Sequence, residues 1–484
     1  VRPILDNFRK RIHLLRLAPF LEFEKRHPQD VMPPLPLAYT AAILKNAAYD
    51  VALTDTWAHV MDFDTLFENL IKQPFDVLLV DFTTPVAQMA RRLVMRLKEA
   101  RSFTAIASGQ HAAALPEHVL SDASPFDFCI RSEIEIALPQ LLEALTNEKP
   151  YDKLAGLAFC AENGEMVLTS EREVLIDLDS LPSPDWSLFN LDSYVIHSAV
   201  IPSLKPLKWG FLLAGRGCPY ACIYCSSTLR QSYGTRVRLH SAQRVVDEIE
   251  NLIALGRNAF FFEDDTFSFD RDWVLALCDE IRSRGLRIKW AVQTRADRLD
   301  AELAREMRKA GCCAVTMGIE SGSERILKLM KKGEDKAQMR RAVKAAKDAG
   351  LLTTLFFMLG NPTESESEIR KTFRFMKELS PFMIQVAFFT PYPGSSFYAT
   401  ERPDIDFSRL SHYNDLPANV SRVSDERLKY WQSRFYRSHY FSPSFISRYL
   451  RHRAVAAVIN PSERELLIKA SKYILGMGRN KSQS

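Results

Sequence analysis

From Trp209 onward the chain alternates short apolar runs with amphipathic stretches so regularly that few topologies can accommodate it. The spacing predicts strands at Leu212–Ala214, Phe260–Phe262, Lys289–Gln293, Ala314–Ile319, Leu352–Leu359 and Met383–Phe388. Between them it predicts helices. One is capped by Ser241 and turns Val245, Ile249, Leu252 and Ile253 inward; others cover Trp273–Arg284, Leu299–Ala310 and Asp335–Ala349. A last one is expected after a Thr363 cap, with Glu366 in the capping-box position. Strand–helix units repeated in this way form a parallel sheet with helices outside. Six of them predict a partial (β/α)6 TIM-type barrel over residues 205–400.

A second α/β series precedes it. Strands at Ile12–Leu17, Val51–Thr54, Val77–Val80, Thr104–Ala107 and Phe126–Ile130 alternate with helices at Leu35–Ala47, Ala87–Glu99 and Ile134–Leu145. This is a Rossmann-like, doubly wound pattern over residues 1–150. No G-x-G-x-x-G follows the first strand, which disfavours a dinucleotide. Residues 151–204 read as a linker, with a hairpin turn at Asn163-Gly164 and the proline-rich LPSPDW at 181–186. Residues 401–484 read as a helical region ending in a short amphipathic candidate, Leu466–Leu475.

Composition narrows the class. Lys+Arg number 64 against 59 Asp+Glu over 484 residues, a mild excess that gives no footprint for nucleic acid. No run of about 18 uncharged apolar residues exists, so no membrane span is expected. The opening VRPILDNFRK has no secretory pattern, and scattered cysteines in a long chain suit a reducing, cytoplasmic setting.

The chemistry concentrates in RGCPYACIYCSS, residues 216–227, where Cys218, Cys222 and Cys225 form C-x3-C-x2-C. Three soft thiolates on one loop suit an iron–sulfur cluster and leave one metal position open to a chelating ligand. The alternative is a structural zinc site, which needs a fourth ligand; His240, Cys278 and the Cys312-Cys313 pair stand at distant or separate positions.

This motif, with an aromatic residue before its third cysteine, resembles the radical S-adenosylmethionine (SAM) superfamily over roughly residues 205–400. The resemblance implies a [4Fe-4S] cluster on Cys218, Cys222 and Cys225, and SAM chelated to the unique iron. One electron then splits a carbon–sulfur bond to give a 5′-deoxyadenosyl radical. It further implies Tyr224 near the adenine and cofactor contacts at the strand ends, with Glu263, Asp264, Asp265, Arg295, Gly318 and Glu320 as candidates. LGNPTES, residues 359–365, ends another strand. Each single carboxylate also suits an ordinary helix cap.

PPLPLAY (33–39), SGQHAAALPE (108–117) and FDFCIRSEIE (126–135) together resemble the cobalamin-binding domain found upstream of many such enzymes. Thr83, Thr84, Gly109, Gln110 and His111 are the candidate corrinoid contacts. The D-x-H-x-x-G that supplies a lower histidine ligand is missing, so binding without histidine on cobalt is expected; a domain that kept this fold and lost the corrinoid is the rival. The whole chain, including WQSRFYRSHYFSPSFISRYL at 431–450, resembles the branch containing the anaerobic Mg-protoporphyrin IX monomethyl ester cyclase and hopanoid-modifying enzymes. The resemblance implies methylation of an unactivated carbon in a small molecule, with a reductant such as flavodoxin or ferredoxin. Radical cyclisation, oxidation or skeletal rearrangement, or a non-catalytic iron–sulfur or corrinoid carrier, are the alternatives.

Overall fold

The computed structural model describes residues 11–18, 30–121, 123–170, 174–196, 201, 203, 205–225, 232–410, 416, 418–449 and 451. Two sheets organise them, one mixed and one wholly parallel. The first runs β1 (Arg11–Leu17), α1 (Leu35–Asn46), β2 (Asp50–Asp55), α2 (Phe63–Lys72), β3 (Val77–Phe82), α3 (Ala87–Ala100), β4 (Thr104–Ser108), the short α4 (Gln110–Ala114) and α5 (Pro116–Val119), β5 (Phe128–Ile130) and α6 (Ile134–Thr146). The hairpin expected around Asn163-Gly164 forms as β6 (Leu157–Cys160) and β7 (Met166–Leu168), and it extends this sheet antiparallel to β5. The order is β2-β1-β3-β4-β5-β6-β7. β3 and β4 read as nearly continuous apolar runs because helices cover both of their faces. β1 lies between β2 and β3, so the order reverses there and opens a crevice at the C-terminal strand ends.

The second sheet holds β8 (Trp209–Leu212), β11 (Ala259–Phe262), β12 (Lys289–Thr294), β13 (Cys312–Glu320), β14 (Leu352–Leu359) and β15 (Met383–Phe388), all parallel and in sequential order. A separate ribbon pairs β9 (Gly215–Arg216) with β10 (Arg238–Leu239). The outer helices are α7 (Ala242–Ala254), α8 (Arg271–Ser283), α9 (Ala301–Lys309), α10 (Glu324–Leu329), α11 (Lys336–Asp348) and α12 (Glu366–Leu379). Ser241 caps α7 as expected, but Ile253 is exposed and Val246 is buried in its stead.

Two local expectations shift. The strand placed at Leu212–Ala214 ends at Leu212, because the Ala214 amide turns to the Asp264 carboxylate. The cap of α12 is Ser365 with Glu368, two residues after the expected Thr363 and Glu366. Glu364 causes the delay: its Oε2 accepts from the amides of Gly360 and Asn361 (2.8 and 3.1 Å), which curls the LGNPTES segment before the helix begins. Glu366 pairs instead with Arg370 and Arg427.

After the short α13 (Ser396–Glu401), α14 (Asp425–Tyr440) closes the barrel edge. β15 is an edge strand, and its outward amides would otherwise lack partners. The Ile384 amide donates to the Tyr440 hydroxyl (3.1 Å) and the Val386 amide to the Tyr436 hydroxyl (3.0 Å), while Gln432 donates to the Val386 carbonyl (2.9 Å). The aromatic stretch after Trp431 thus works as an edge cover. The candidate helix Leu466–Leu475 lies outside the described residues. Among the described residues no helix is long and apolar enough to cross a membrane.

The two sheets are joined through α1. Leu35 and Ala38 of α1 belong to the same buried cluster as Phe211, Phe260 and Trp290. The Tyr39 hydroxyl donates to Glu248 on α7 (3.1 Å), and the Tyr194 hydroxyl donates to Asp55 at the end of β2 (2.9 Å).

Candidate functional site

The candidate cluster loop leaves the barrel after β8. The β9–β10 ribbon clips its two ends together, so the loop leaves and rejoins the barrel on a fixed base. Gly217 makes the turn at φ +92°, and a Cβ there would lie 2.1 Å from the Arg236 carbonyl oxygen, so only glycine fits. The Cys218 amide donates to Gly234 O and the Cys225 amide to Cys222 O, both at 3.2 Å. The Ile223 amide donates to Met330 O (3.1 Å) and its carbonyl accepts from Phe397 N (3.0 Å), which pins the loop to the barrel.

All three loop thiols are partly exposed, whereas Cys129, Cys278 and Cys312 are buried. Burial pushes the Cys129 and Cys278 thiols up to about 12, the signature of inert structural cysteines. Among the described residues, no three His, Cys, Asp or Glu side chains converge on one point as a mononuclear zinc site requires. The donor set fits a cluster, whose irons take one thiolate each and hold the sulfurs apart.

A buried polar chain runs beside the loop. The Tyr224 hydroxyl donates to Glu320 Oε1 (3.3 Å). Glu320 ends β13 after a register shift at Gly318 and adopts φ +60°, a conformation that costs a non-glycine residue energy and aims its carboxylate back over Gly318. Lys332 Nζ stands 3.7 Å from Glu320 Oε1 and 3.1 Å from Glu334 Oε2. Burial alone lowers the Lys332 ammonium, but Glu320 and then Glu334 outweigh it and hold it above the ordinary lysine range. Arg295 completes the chain: Nη2 lies 3.5 Å from Glu334 Oε2 and donates to Lys332 O (2.9 Å), and Nε donates to Asp297 (2.9 Å). Its guanidinium sits 3.6 Å from the centre of the Tyr220 ring. Tyr220 and Tyr224, on either side of Cys222, therefore attach to opposite ends of one chain, Glu320–Lys332–Glu334–Arg295.

Sequence reasoning picked Tyr224, Arg295, Gly318 and Glu320 from this cluster and missed Lys332, Glu334 and Tyr220. The signal for the first two was the charged run Lys331-Lys332-Gly333-Glu334 after a strand-end loop, which reads as a solvated turn until burial is known.

The Glu263-Asp264-Asp265 group divides. Asp264 accepts from the Ala214 amide (3.1 Å) and also from the Gly215 amide, so its carboxylate braces the backbone that leads into the cluster loop. Burial raises it to about 7 against the effect of those amides. Glu263 has an enclosed Oε1 without a hydrogen-bond partner, and burial pushes its carboxyl up to about 8 despite nearby Arg16. Asp265 is exposed.

Asp264 gives a testable pH dependence. A folded pKa near 7, above the unfolded value of about 3.9, means its contribution to stability is complete below about pH 4 and is lost as pH rises through about 7. Asp264→Asn is therefore expected to make the fall in stability between those pH values shallower. Denaturant unfolding across the range measures it, and an unchanged slope refutes the assignment.

On the first sheet, Thr83 and Thr84 follow β3, and Gly109 and Gln110 follow β4. Gly109 takes φ +93°, and a Cβ there would meet Phe82 O at 2.6 Å, so the backbone passes flush against β3. His111 is wholly buried: Nδ1 contacts Thr84 Oγ1 (3.3 Å), Nε2 contacts His118 Nδ1 (2.9 Å), and burial lowers its pKa to about 3. It borders a cavity of about 360 Å³ with Phe82, Arg91, Arg92, His118 and Phe126. The candidates thus gather at the C-terminal ends of adjacent strands, but His111 is held by its neighbours and presents no open nitrogen.

Residues 212–376 match the radical SAM superfamily and residues 26–142 match the B12 binding domain. An uncharacterized methyltransferase of Pyrococcus horikoshii is 30% identical over 389 residues, spanning 80% of this chain and 82% of that protein. The chain belongs to the cobalamin-binding radical SAM enzymes. The anaerobic magnesium-protoporphyrin IX monomethyl ester cyclase of Rubrivivax gelatinosus is 27% identical, covering 79% of this chain and 68% of that one. The structure of the radical SAM methyltransferase TsrM from Kitasatospora setae, with cobalamin and a [4Fe-4S] cluster bound, shares the fold: TM-score 0.64, 19% identity, 80% of this chain and 74% of that one. This radical SAM enzyme therefore carries both a B12-binding sheet and a cluster-binding barrel.

Proposed function

We propose that this radical SAM enzyme methylates an unactivated carbon of a small molecule, with Cys218, Cys222 and Cys225 holding a [4Fe-4S] cluster and the first sheet holding a corrinoid. When bound, the cluster supplies the electron that splits SAM and the corrinoid supplies the methyl group. The observation that carries the reading is the union, in one chain whose two sheets are packed together through α1, of the partly exposed three-thiol loop and a strand-end crevice on a B12-binding sheet. In this reading Glu320 and Lys332 offer a carboxylate and an ammonium to the polar groups of SAM, Tyr224 orients Glu320, and Asp264 keeps the loop base in place. Thr83, Thr84, Gly109 and Gln110 border the corrinoid. A protein reductant of the flavodoxin or ferredoxin class delivers the electron.

Losing a charge-assisted contact of this kind costs about 1.5–3 kcal/mol, so Glu320→Ala and Lys332→Ala are each expected to weaken SAM binding about 10- to 100-fold. Iron content should be unchanged. Equilibrium binding to cluster-loaded protein is the check, and wild-type affinity in both variants removes these residues from the site.

The magnesium-protoporphyrin cyclase relative supports a second reading, radical ring closure. Reduced protein incubated with SAM and cobalamin separates the two. Methyl transfer yields S-adenosylhomocysteine only when cobalamin is present. Products limited to 5′-deoxyadenosine and methionine, with cobalamin bound, favour the second reading.

A further inference from the structure

The two sheets meet at a buried ionic knot. Arg216, two residues before Cys218, is 1% exposed. Its Nη1 donates to Glu133 Oε2 and its Nη2 to Glu135 Oε1, both at 2.7 Å. Arg238, register partner of Arg216 across the ribbon, donates to Glu133 Oε1 (2.6 Å) and to the Tyr233 carbonyl (2.9 Å). Both glutamates are fully enclosed and stand at the start of α6, directly after β5 of the B12-binding sheet. The Tyr233 and Tyr39 rings flank the Arg216 guanidinium at 4.6 and 5.6 Å.

Burying four charged groups between two aromatic rings in this way is a poor route to stability. Desolvation of a buried ion pair offsets most of its Coulombic gain, and apolar side chains of the same volume do as well or better. What apolar contacts lack is a defined register. A planar guanidinium gripped by two carboxylates fixes distance and orientation together, which an ammonium cannot do. The knot sits where register matters: at the base of the cluster loop on one side and at a C-terminal strand end of the B12-binding sheet on the other.

We infer that Arg216, held by Glu133 and Glu135, is a positioning residue that sets the cluster loop against the corrinoid-binding sheet. This rests on the functional reading above. Arg216 touches neither cofactor in this role; it fixes the separation of the two sites that a shared substrate must bridge. Misplacement by roughly 1 Å costs such a geometry up to about 100-fold in rate.

The test uses full-length protein with reconstituted cluster and cob(II)alamin, comparing wild type with Arg216→Lys and Glu135→Gln. The second keeps the Arg238–Glu133 pair, so it guards against a variant that fails to fold. Iron and corrinoid content should stay at wild-type levels. Pulsed electron paramagnetic resonance between reduced cluster and cob(II)alamin should give one narrow distance distribution in wild type, and a distribution shifted or broadened by about 1 Å or more in both variants. Distributions indistinguishable from wild type in both overturn the inference. If wild type takes up no corrinoid, the functional reading fails instead, and hydrogen exchange then reads the joint by itself. Faster exchange confined to residues 128–135 and 209–218 in Glu135→Gln supports the positioning role, and unchanged exchange overturns it.

Discussion

Alanine at Cys218, Cys222 or Cys225 is expected to take reconstituted protein from about four irons per chain to a small fraction of that, because a cluster anchored by three protein thiolates has no spare ligand. The rest of the molecule supplies no substitute among the described residues. Cys129, Cys278 and Cys312 are enclosed, with burial holding all three thiols above the ordinary range. Cys160 is exposed and sits on β6 of the other sheet, and the partly exposed Cys313 stands at the N-terminal start of β13, the opposite end of that strand from Glu320. The loop backbone should survive the change, since its anchors are main-chain contacts at Gly234, Met330 and Phe397 and the Asp264 brace at its base. Iron and sulfide analysis after anaerobic reconstitution measures the outcome, with circular dichroism as the control for folding. Retention of about four irons by the triple variant, or zinc in place of iron in wild-type protein, sinks the cluster assignment.

What could be read from the sequence followed the range of the forces involved. The strands of both sheets were legible because each is a short apolar run that tolerates no alternative period, as in Leu352–Leu359. Helix α2 was passed over although Phe63, Leu66, Phe67, Leu70 and Ile71 recur at helical spacing; Leu66 and Leu70 are buried and the other three pack partly buried beside them. The cap of α12 was misplaced because Thr363 and Glu366 satisfy the same spacing rule as Ser365 and Glu368. Only the backbone demands of Gly360 and Asn361 on Glu364 decide between them.

The site divided in the same way. Three cysteines within eight residues are a local pattern and announce themselves. Lys332, which pairs with Glu320, and Glu334, which pairs with Lys332, lie beyond the turn of α10 and become visible only when that segment folds back over β13. Asp264 was grouped with Glu263 and Asp265, and its contact with the Ala214 amide, 50 residues away, becomes visible only in the fold. The acidic Arg131–Glu135 stretch stood out in the sequence, but its partner Arg216 lies 83 residues from Glu133, and no periodicity reports such a pairing.

The B12-binding sheet should bind cobalamin with no histidine beneath the cobalt, and the side chains now give that expectation a physical basis. Four described histidines belong to this part of the chain. His13 is buried within β1, with Nε2 on Thr54 Oγ1 (2.9 Å). His59 is exposed. His111 and His118 contact each other, the former also contacts Thr84, and the Phe407 ring lies edge-on to both at 5.6 and 5.4 Å. Burial lowers both pKa values, that of His111 to about 3, so the pair is neutral at pH 7, and freeing either nitrogen of His111 for cobalt means dismantling a packed contact. A nitrogen donor below the metal steadies its higher oxidation states, so its absence makes the reduced corrinoid easier to reach. Electron paramagnetic resonance of cob(II)alamin-loaded protein is therefore expected to show cobalt hyperfine lines without the three-line nitrogen splitting of an axial ligand. His111→Ala and His118→Ala should leave that spectrum unaltered. Triplet splitting in wild type that disappears in His118→Ala would make His118 the ligand and require the Phe407 segment to move aside. A protein that takes up no corrinoid would leave the methyltransferase reading without its methyl donor.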